Sequence, residues 1–178
     1  YRQGFTGALG GLLTTIVLGV SMLSTFDPAI GPLVPVLVSY WLNIHVTIIT
    51  SSYGFLGLAA LIGALTLILY MTKAPGRENV KQAIKTLDSI NYNVMVAGLA
   101  LLTIGTLLGG VWANESWGRY WGWDAKETWS LVTILVYATV LHFRFIPKMK
   151  SAWLTAALST AAISSVIMTY FGVNYFLT

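Results

Sequence analysis

The residues that could do chemistry in this sequence are a dense group of tryptophans and two histidines. Residues 112–129, WANESWGRYWGWDAKETW, are called the tryptophan segment here and hold five of the seven tryptophans and three of the six acidic residues. Gly118 and Gly122 remove side chains from between the rings, which leaves aromatic faces suited to a large planar ligand. The alternative interpretation is a reinforced aromatic belt at the membrane surface.

The histidines, His45 and His142, are the other candidates. The sequence has no cysteine, so it has no thiolate ligand, no cysteine nucleophile and no disulfide. A histidine in or beside a membrane span is costly enough to be a functional candidate, and neutral imidazole is a common axial ligand of haem iron. The alternative for both is an interfacial histidine. For His142, which lies near Arg144, a helix dipole would favour that alternative.

The tryptophan segment carries a family resemblance. Trp117 to Asp124, WGRYWGWD, followed by AKETW at residues 125–129, resembles the WWD signature of the haem-handling membrane proteins of cytochrome c assembly. The Lys-Glu-Thr-Trp ending is most similar to the CcsA (ResC) type of the System II pathway, whereas CcmC and CcmF share the WWD segment more loosely. The resemblance extends from about Leu33 to the C-terminus and includes residues 41–46 and 171–176.

The resemblance implies that the chain binds haem b at two separate places. It implies an outer site in which His45 binds the iron, and an inner site that involves His142 near the cytoplasm. His142 lies 18 residues after Asp124, which is about 27 Å along an α-helix, so one iron cannot bind both histidines. The expected binding residues are His45, His142, Trp117, Trp121, Trp123, Asp124 and Arg119.

Two of these residues have expected roles other than contact with iron or porphyrin. Arg119 is, with Lys126, the nearest cation for the haem propionates. Asp124 is expected to orient the segment rather than to act as an acid or base, because Asp124 and Glu127 have the spacing of a capping box. That spacing predicts a helix that begins at about Ala125.

The resemblance also implies partners. These are a CcsB (ResB) type membrane subunit, separate or fused, and an apocytochrome c whose Cys-x-x-Cys-His segment supplies two thiols to the haem vinyl groups. The family has a second outer histidine after its last span, which would fall beyond Thr178, so we expect the chain to be part of a longer protein. The function that the resemblance implies is to move haem across or within the membrane and to present it on the outer face for thioether attachment, as part of a cytochrome c synthase (haem lyase) complex. The alternatives are a haem transporter or chaperone without ligation activity, as in CcmC, and a structural membrane subunit.

Composition predicts an all-α integral membrane protein that forms one membrane domain over residues 1–178. The chain is 56% hydrophobic and 9% charged, with a mean hydropathy of +0.75, too apolar for a small soluble domain. Five transmembrane helices are predicted, with a proline-rich loop over residues 27–40 and a short cytoplasmic amphipathic helix over residues 72–91. The spans are expected at about residues 5–26, 45–71, 92–112, 125–145 and 151–177.

Small residues predict how these helices pack. Gly105 and Gly109 form a GxxxG pattern that is typical of a close helix contact. The polar and small residues between Thr47 and Gly54 also favour packing against other helices over contact with lipid.

Basic residues predict the orientation in the bilayer. Eight of the ten fall on one side, at Arg2, residues 73–85 and residues 144–150, which the positive-inside rule makes cytoplasmic. The tryptophan segment, the proline-rich loop and the C-terminus then face the periplasm or its equivalent. The expected location is the bacterial inner membrane or the plastid thylakoid membrane. The net charge of +4 reflects this topology, and no nucleic acid partner is expected.

Overall fold

The computed structural model describes residues 4–21, 39–72 and 78–177, and these residues are helical apart from short connections. A 3₁₀ turn, Phe143–Phe145, continues α4, and a π-helical stretch, Met168–Gly172, joins α5 to α6. The helices are α1 Gly4–Ser21, α2 Tyr40–Met71, α3 Glu78–Trp117, α4 Ala125–His142, α5 Ala152–Ile167 and α6 Val173–Phe176.

Four helical segments of the described residues are long and apolar enough to cross a bilayer. They are Tyr40–Met71, Glu78–Trp117, Ala125–Phe145 and Ala152–Phe176. They correspond to the second to fifth predicted spans, so the all-helical architecture expected of an integral membrane protein is confirmed for this part of the chain.

The N-terminal part, Tyr1–Val38, is a separate compact unit from Ser39–Thr178. Within it, α1 contains a shorter apolar stretch, Gly10–Gly19. The end of the first predicted span, residues 22–26, lies outside the described residues. Residues 27–38 of the predicted proline-rich loop also lie outside them.

Two element boundaries differ from the sequence predictions. α2 begins at Tyr40, so His45 lies in its second turn rather than at its start. The prediction of a separate short amphipathic helix over residues 72–91 is wrong, because α3 runs without a break over 40 residues. From its first residue, Glu78, α3 has no proline or glycine before Gly98 to interrupt it. Its apolar residues Ile84 and Leu87 are buried within the protein.

The GxxxG pattern of α3 is a packing face, as predicted, and its partner is α2. A Cβ at Gly105 would lie 2.8 Å from the Ile49 side chain, and one at Gly98 would lie 2.6 Å from Leu56. The two helices are therefore antiparallel and in close contact. Residues of α2 to α5 form the core around this contact: Leu56, Ala59, Met95, Leu102, Tyr137, Val140, Leu141, Ala162 and Val166.

Within the described residues of Ser39–Thr178, most of the polar stripe near the start of α2 does not pack against another helix. Thr47, Thr50, Ser51 and Gly54 are exposed, and only Ser52 of this stretch is buried. The hydroxyl groups donate to carbonyl oxygens one turn earlier in their own helix, for example Thr47 Oγ1 to Asn43 O at 2.7 Å. Because the helix itself satisfies these groups, they need no partner helix.

The antiparallel helices give the unit two distinct ends. At the end we call the tryptophan end, the tryptophan segment meets the start of α2 and the end of α5. There the Ser39 hydroxyl donates to Glu115 at 3.4 Å, and the Thr169 hydroxyl donates to Trp129 O at 3.2 Å. At the opposite end, which we call the basic end, the α4–α5 connection lies against α3 through a 3.0 Å ion pair between Arg144 and Asp88.

Candidate functional site

The backbone of the tryptophan segment makes two left-handed turns between α3 and α4. Gly118, which ends α3, has φ 75° and donates its N–H to Asn114 O at 2.9 Å. Trp123 has φ 57°, a conformation that costs a non-glycine residue about 1–2 kcal/mol. Such strain persists only where surrounding contacts hold it, and it is concentrated at functional sites.

Glu127 and Asp124 supply those contacts. The Glu127 carboxylate accepts the N–H of Gly122 at 2.7 Å and that of Asp124 at 3.4 Å. In return, Asp124 Oδ1 accepts the N–H of Glu127 at 2.8 Å. The predicted capping box is therefore confirmed, and it fixes Trp123 directly before the first turn of α4.

Replacing Asp124 by alanine tests this cap. We expect Asp124→Ala to lower the free energy of unfolding by about 1 kcal/mol, because the Glu127 N–H loses its acceptor. Thermal unfolding of the full-length protein in detergent measures the effect. Asp124→Ser is the matched control, since serine can accept the same hydrogen bond. Equal stability of the alanine and serine variants would show that the cap does not stabilise the segment.

The indole rings form two perpendicular pairs instead of one flat surface. Trp112 and Trp117 lie 4.8 Å apart at 76°, and Trp121 and Trp123 lie 5.7 Å apart at 85°. Trp117 is 49% exposed and Trp123 is 69% exposed, whereas Trp121 is partly buried. Of the three predicted tryptophans, Trp117 and Trp123 therefore present the most ring surface to a ligand.

The His45 imidazole is held against α3 in one tautomer. Its Nδ1 lies 2.7 Å from Gly105 O. A carbonyl oxygen can only accept, so Nδ1 carries the hydrogen and the lone pair of the neutral ring is on Nε2. Histidines that bind metals commonly donate their other ring N–H to a carbonyl in this way.

Gly109 makes room for that imidazole. A Cβ at Gly109 would lie 2.7 Å from His45 Cε1 and 2.8 Å from Nδ1. Any other residue there would collide with the ring in its present place. We call Gly105 and Gly109 together the imidazole cradle.

The imidazole cradle lies next to the tryptophan segment. Gly109 precedes Trp112 by three residues on the same helix, a rise of about 4.5 Å and nearly one turn, so both share a face of α3. His45 and the first indole pair are thus at the same end of the unit. Sequence analysis did not assign Trp112, Gly105 or Gly109 to the site, although their 105, 109, 112 spacing was visible.

The structure does not bring His142 to this site. His142 ends α4 at the basic end, is exposed, and bonds through Nδ1 to Ala138 O at 2.7 Å. The 18 residues of α4 separate it from Asp124, a rise of about 27 Å. His45 and His142 therefore lie at opposite ends of the unit, too far apart to bind one metal ion.

Arg119 is one of the two cations of the tryptophan segment, the other being Lys126. It is exposed, and its guanidinium packs against Gly122, where a Cβ would lie 3.1 Å from the Arg119 Cζ. Glycine at position 122 therefore lets the guanidinium lie close to the backbone that precedes Trp123. This places a positive charge beside the backbone between Trp121 and Trp123.

The donor set limits the kind of metal that could bind. Within the described residues, no group of three or more His, Cys, Asp or Glu side chains could hold a metal ion. A single imidazole instead suits a metal that arrives with its own equatorial ligands, as porphyrin iron does.

Comparisons with known proteins identify the family of the chain. A protein-family model for "Cytochrome C assembly protein" matches residues 2–178. Over 166 residues the chain is 48% identical to protein NrfI of Wolinella succinogenes, covering 93% of this chain and 18% of NrfI. It is 39% identical to the cytochrome c biogenesis protein CcsA of Chlamydomonas reinhardtii, covering 93% and 48%. With CcsA of Synechococcus the identity is 34%, covering 81% and 55%. The chain thus spans about half or less of these relatives.

Proposed function

Because the chain belongs to the cytochrome c assembly protein family, we propose that it binds haem b as cargo and presents it at the tryptophan end for attachment to apocytochrome c. The observation that carries this proposal is the His45 imidazole, fixed by Gly105 with Nε2 left for a metal. The relatives named CcsA are cytochrome c biogenesis proteins, which agrees with this role.

The side chains of the tryptophan segment would suit a porphyrin. Exposed rings of Trp117 and Trp123 offer apolar contact, and Arg119, with Lys126, offers a cation for propionates. The indole N–H groups of Trp112 and Trp121 are buried without an acceptor. An indole N–H can only donate, and a buried donor without an acceptor costs about 1–3 kcal/mol of stability. Haem propionates that accepted these hydrogen bonds would therefore stabilise the cluster.

The proposed chemistry needs nucleophiles from the substrate. Each thioether forms when a thiol adds across a haem vinyl group, with its hydrogen going to the neighbouring carbon, so no oxidant is consumed. The chain has no cysteine, and both thiols therefore come from the Cys-x-x-Cys-His segment of the apocytochrome. The chain's own residues would hold the iron, orient the macrocycle and keep it beside the thiols.

The second histidine suggests a path for the cargo. His142 at the basic end would take haem on the cytoplasmic side, and His45 would hold it on the outer side, with five spans and a CcsB (ResB) type subunit completing the assembly. The lysines and arginines of the basic end support this orientation under the positive-inside rule. The membrane would be a bacterial inner membrane or a thylakoid membrane.

Covalent haem attachment tests the proposal. We expect the protein, expressed from its complete gene together with an apocytochrome c, to produce a haem-stained cytochrome band that survives denaturing electrophoresis. An apocytochrome whose two motif cysteines are replaced by serine is the control and should give no band. Absence of the band with intact cysteines, while the purified protein still carries haem, would favour a transporter without ligation activity. A protein purified without any pigment would instead favour a structural subunit.

A further inference from the structure

The strongest unassigned cluster lies at the basic end, where Arg144 joins the end of α4 to α3. We propose that Asp88 and Tyr92 are positioning residues that place the His142 imidazole by holding Arg144. This rests on the proposed function, in which His142 belongs to an inner haem site. None of the three residues was assigned a role from the sequence.

Two contacts fix the Arg144 side chain. Its Nη1 donates to Asp88 Oδ2 at 3.0 Å, and its guanidinium carbon lies 4.7 Å from the centroid of the Tyr92 ring. The side chains of Arg144 and Asp88 are only 27% and 17% exposed. A charge-assisted bond in partly buried surroundings, together with a cation–π contact, holds a side chain more firmly than a surface ion pair does.

The contact of Arg144 with Asp88 and Tyr92, which we call the anchor, matters because the His142 ring itself contacts only residues close to it in the chain. Its Nδ1 bonds to Ala138 O, and its ring lies 6.0 Å from the Phe145 ring. These contacts set the rotamer but not where the segment lies on the bundle. Val140 and Leu141 pack in the core directly before His142, and the 3₁₀ turn that carries Arg144 begins directly after it. The attachment of this turn to α3 therefore fixes the second side of the histidine and limits where the imidazole can project.

The ion pair with Arg144 also accounts for the carboxylate at position 88. Asp88 lies on the predominantly apolar helix α3, and its Oδ1 is buried without a partner. Burying a carboxylate is costly unless it is paired. A contact that served stability alone could be made by apolar residues, whereas a directional ion pair fixes one orientation of the turn.

A spin label at position 142 tests the positioning without any haem. Because residues 1–178 contain no cysteine, His142→Cys gives a single labelling site in a full-length protein in which any cysteine outside these residues is replaced by serine. We expect the label to be restricted when Asp88 is present and clearly more mobile in Asp88→Ala. Glu78→Ala is the matched control, since it removes the exposed Lys81–Glu78 ion pair of the same helix and should leave the label unchanged. Equal mobility with and without Asp88 would overturn the proposal.

The amount of haem bound then tests whether the position of His142 matters for the inner site. Asp88→Ala and His142→Ala should each lower the haem bound at the inner site by about tenfold, and the double variant should lose no more than either alone. Asp88→Asn, which keeps an oxygen acceptor for Arg144, should recover most of the binding if Asp88→Ala folds poorly. Additive losses would overturn the proposal. A mobile label combined with unchanged haem in His142→Ala would instead refute the inner site and leave the anchor intact.

Discussion

Replacing His45 by glycine is expected to reduce the haem held at the tryptophan end to about a tenth or less of the normal content. Loss of only the hydrogen-bond partner of a metal-binding residue typically lowers metal affinity about 10–100-fold, and loss of the binding residue itself should cost at least as much. The imidazole would supply an iron ligand at that end, because its Nδ1 is bonded to Gly105 O at 2.7 Å and Nε2 carries the lone pair of the neutral ring. The absorption spectrum of the purified full-length protein measures both haem content and axial ligation.

A second replacement separates ligation from packing. In His45→Asn, the amide nitrogen occupies nearly the position of Nδ1 and can still donate to Gly105 O, but an amide does not replace imidazole as an iron ligand. We expect both variants to lose haem and the asparagine variant to keep the stability of the native protein. Haem loss in the glycine variant alone would mean that His45 serves only to pack α2 against α3. Unchanged spectra in both would remove His45 from the site.

Local sequence signals predicted those features that depend on neighbouring residues. The capping box needs only Asp124 and Glu127, three residues apart, and the helix begins where their spacing indicates. Four of the predicted spans were recognisable because an apolar run with few charges that is long enough to cross a bilayer indicates a transmembrane helix. The amphipathic pattern at Ile84 and Leu87 was also real, but a pattern identifies an apolar face without saying whether lipid or protein covers it.

Features that depend on the register between helices could not be predicted in this way. The spacing of Gly105 and Gly109 indicates a close contact, yet only the packing of α2 on α3 places His45 against them. The same limitation affected the polar stripe at Thr47 and Ser51, which faces away from the other helices of the unit. The pairing of Trp121 with Trp123 had a different obstacle, because it involves a residue with φ 57° that is not glycine, and the sequence gives no signal for such a turn.

Replacing Gly109 by alanine should therefore impair the outer site without removing any ligand. The added Cβ would lie 2.7 Å from His45 Cε1 and 2.8 Å from Nδ1, so the imidazole must move and its bond to Gly105 O must lengthen. We expect haem content at the tryptophan end to fall about tenfold. This is the effect typical of disturbing the hydrogen bond that orients a metal-binding histidine. The absorption spectrum of the full-length variant measures this change.

Gly54→Ala is the matched control for this substitution, because it makes the same chemical change in the helix that carries His45. A Cβ at Gly54 meets nothing within 4 Å, and alanine is favoured over glycine in a helix by about 1 kcal/mol. This variant should keep its haem and be at least as stable as the native protein. Since helix propensity also favours alanine at position 109, haem lost there and not at position 54 must come from the displaced imidazole. Native haem content in Gly109→Ala would show that the orientation fixed by the imidazole cradle is not the one that binds iron.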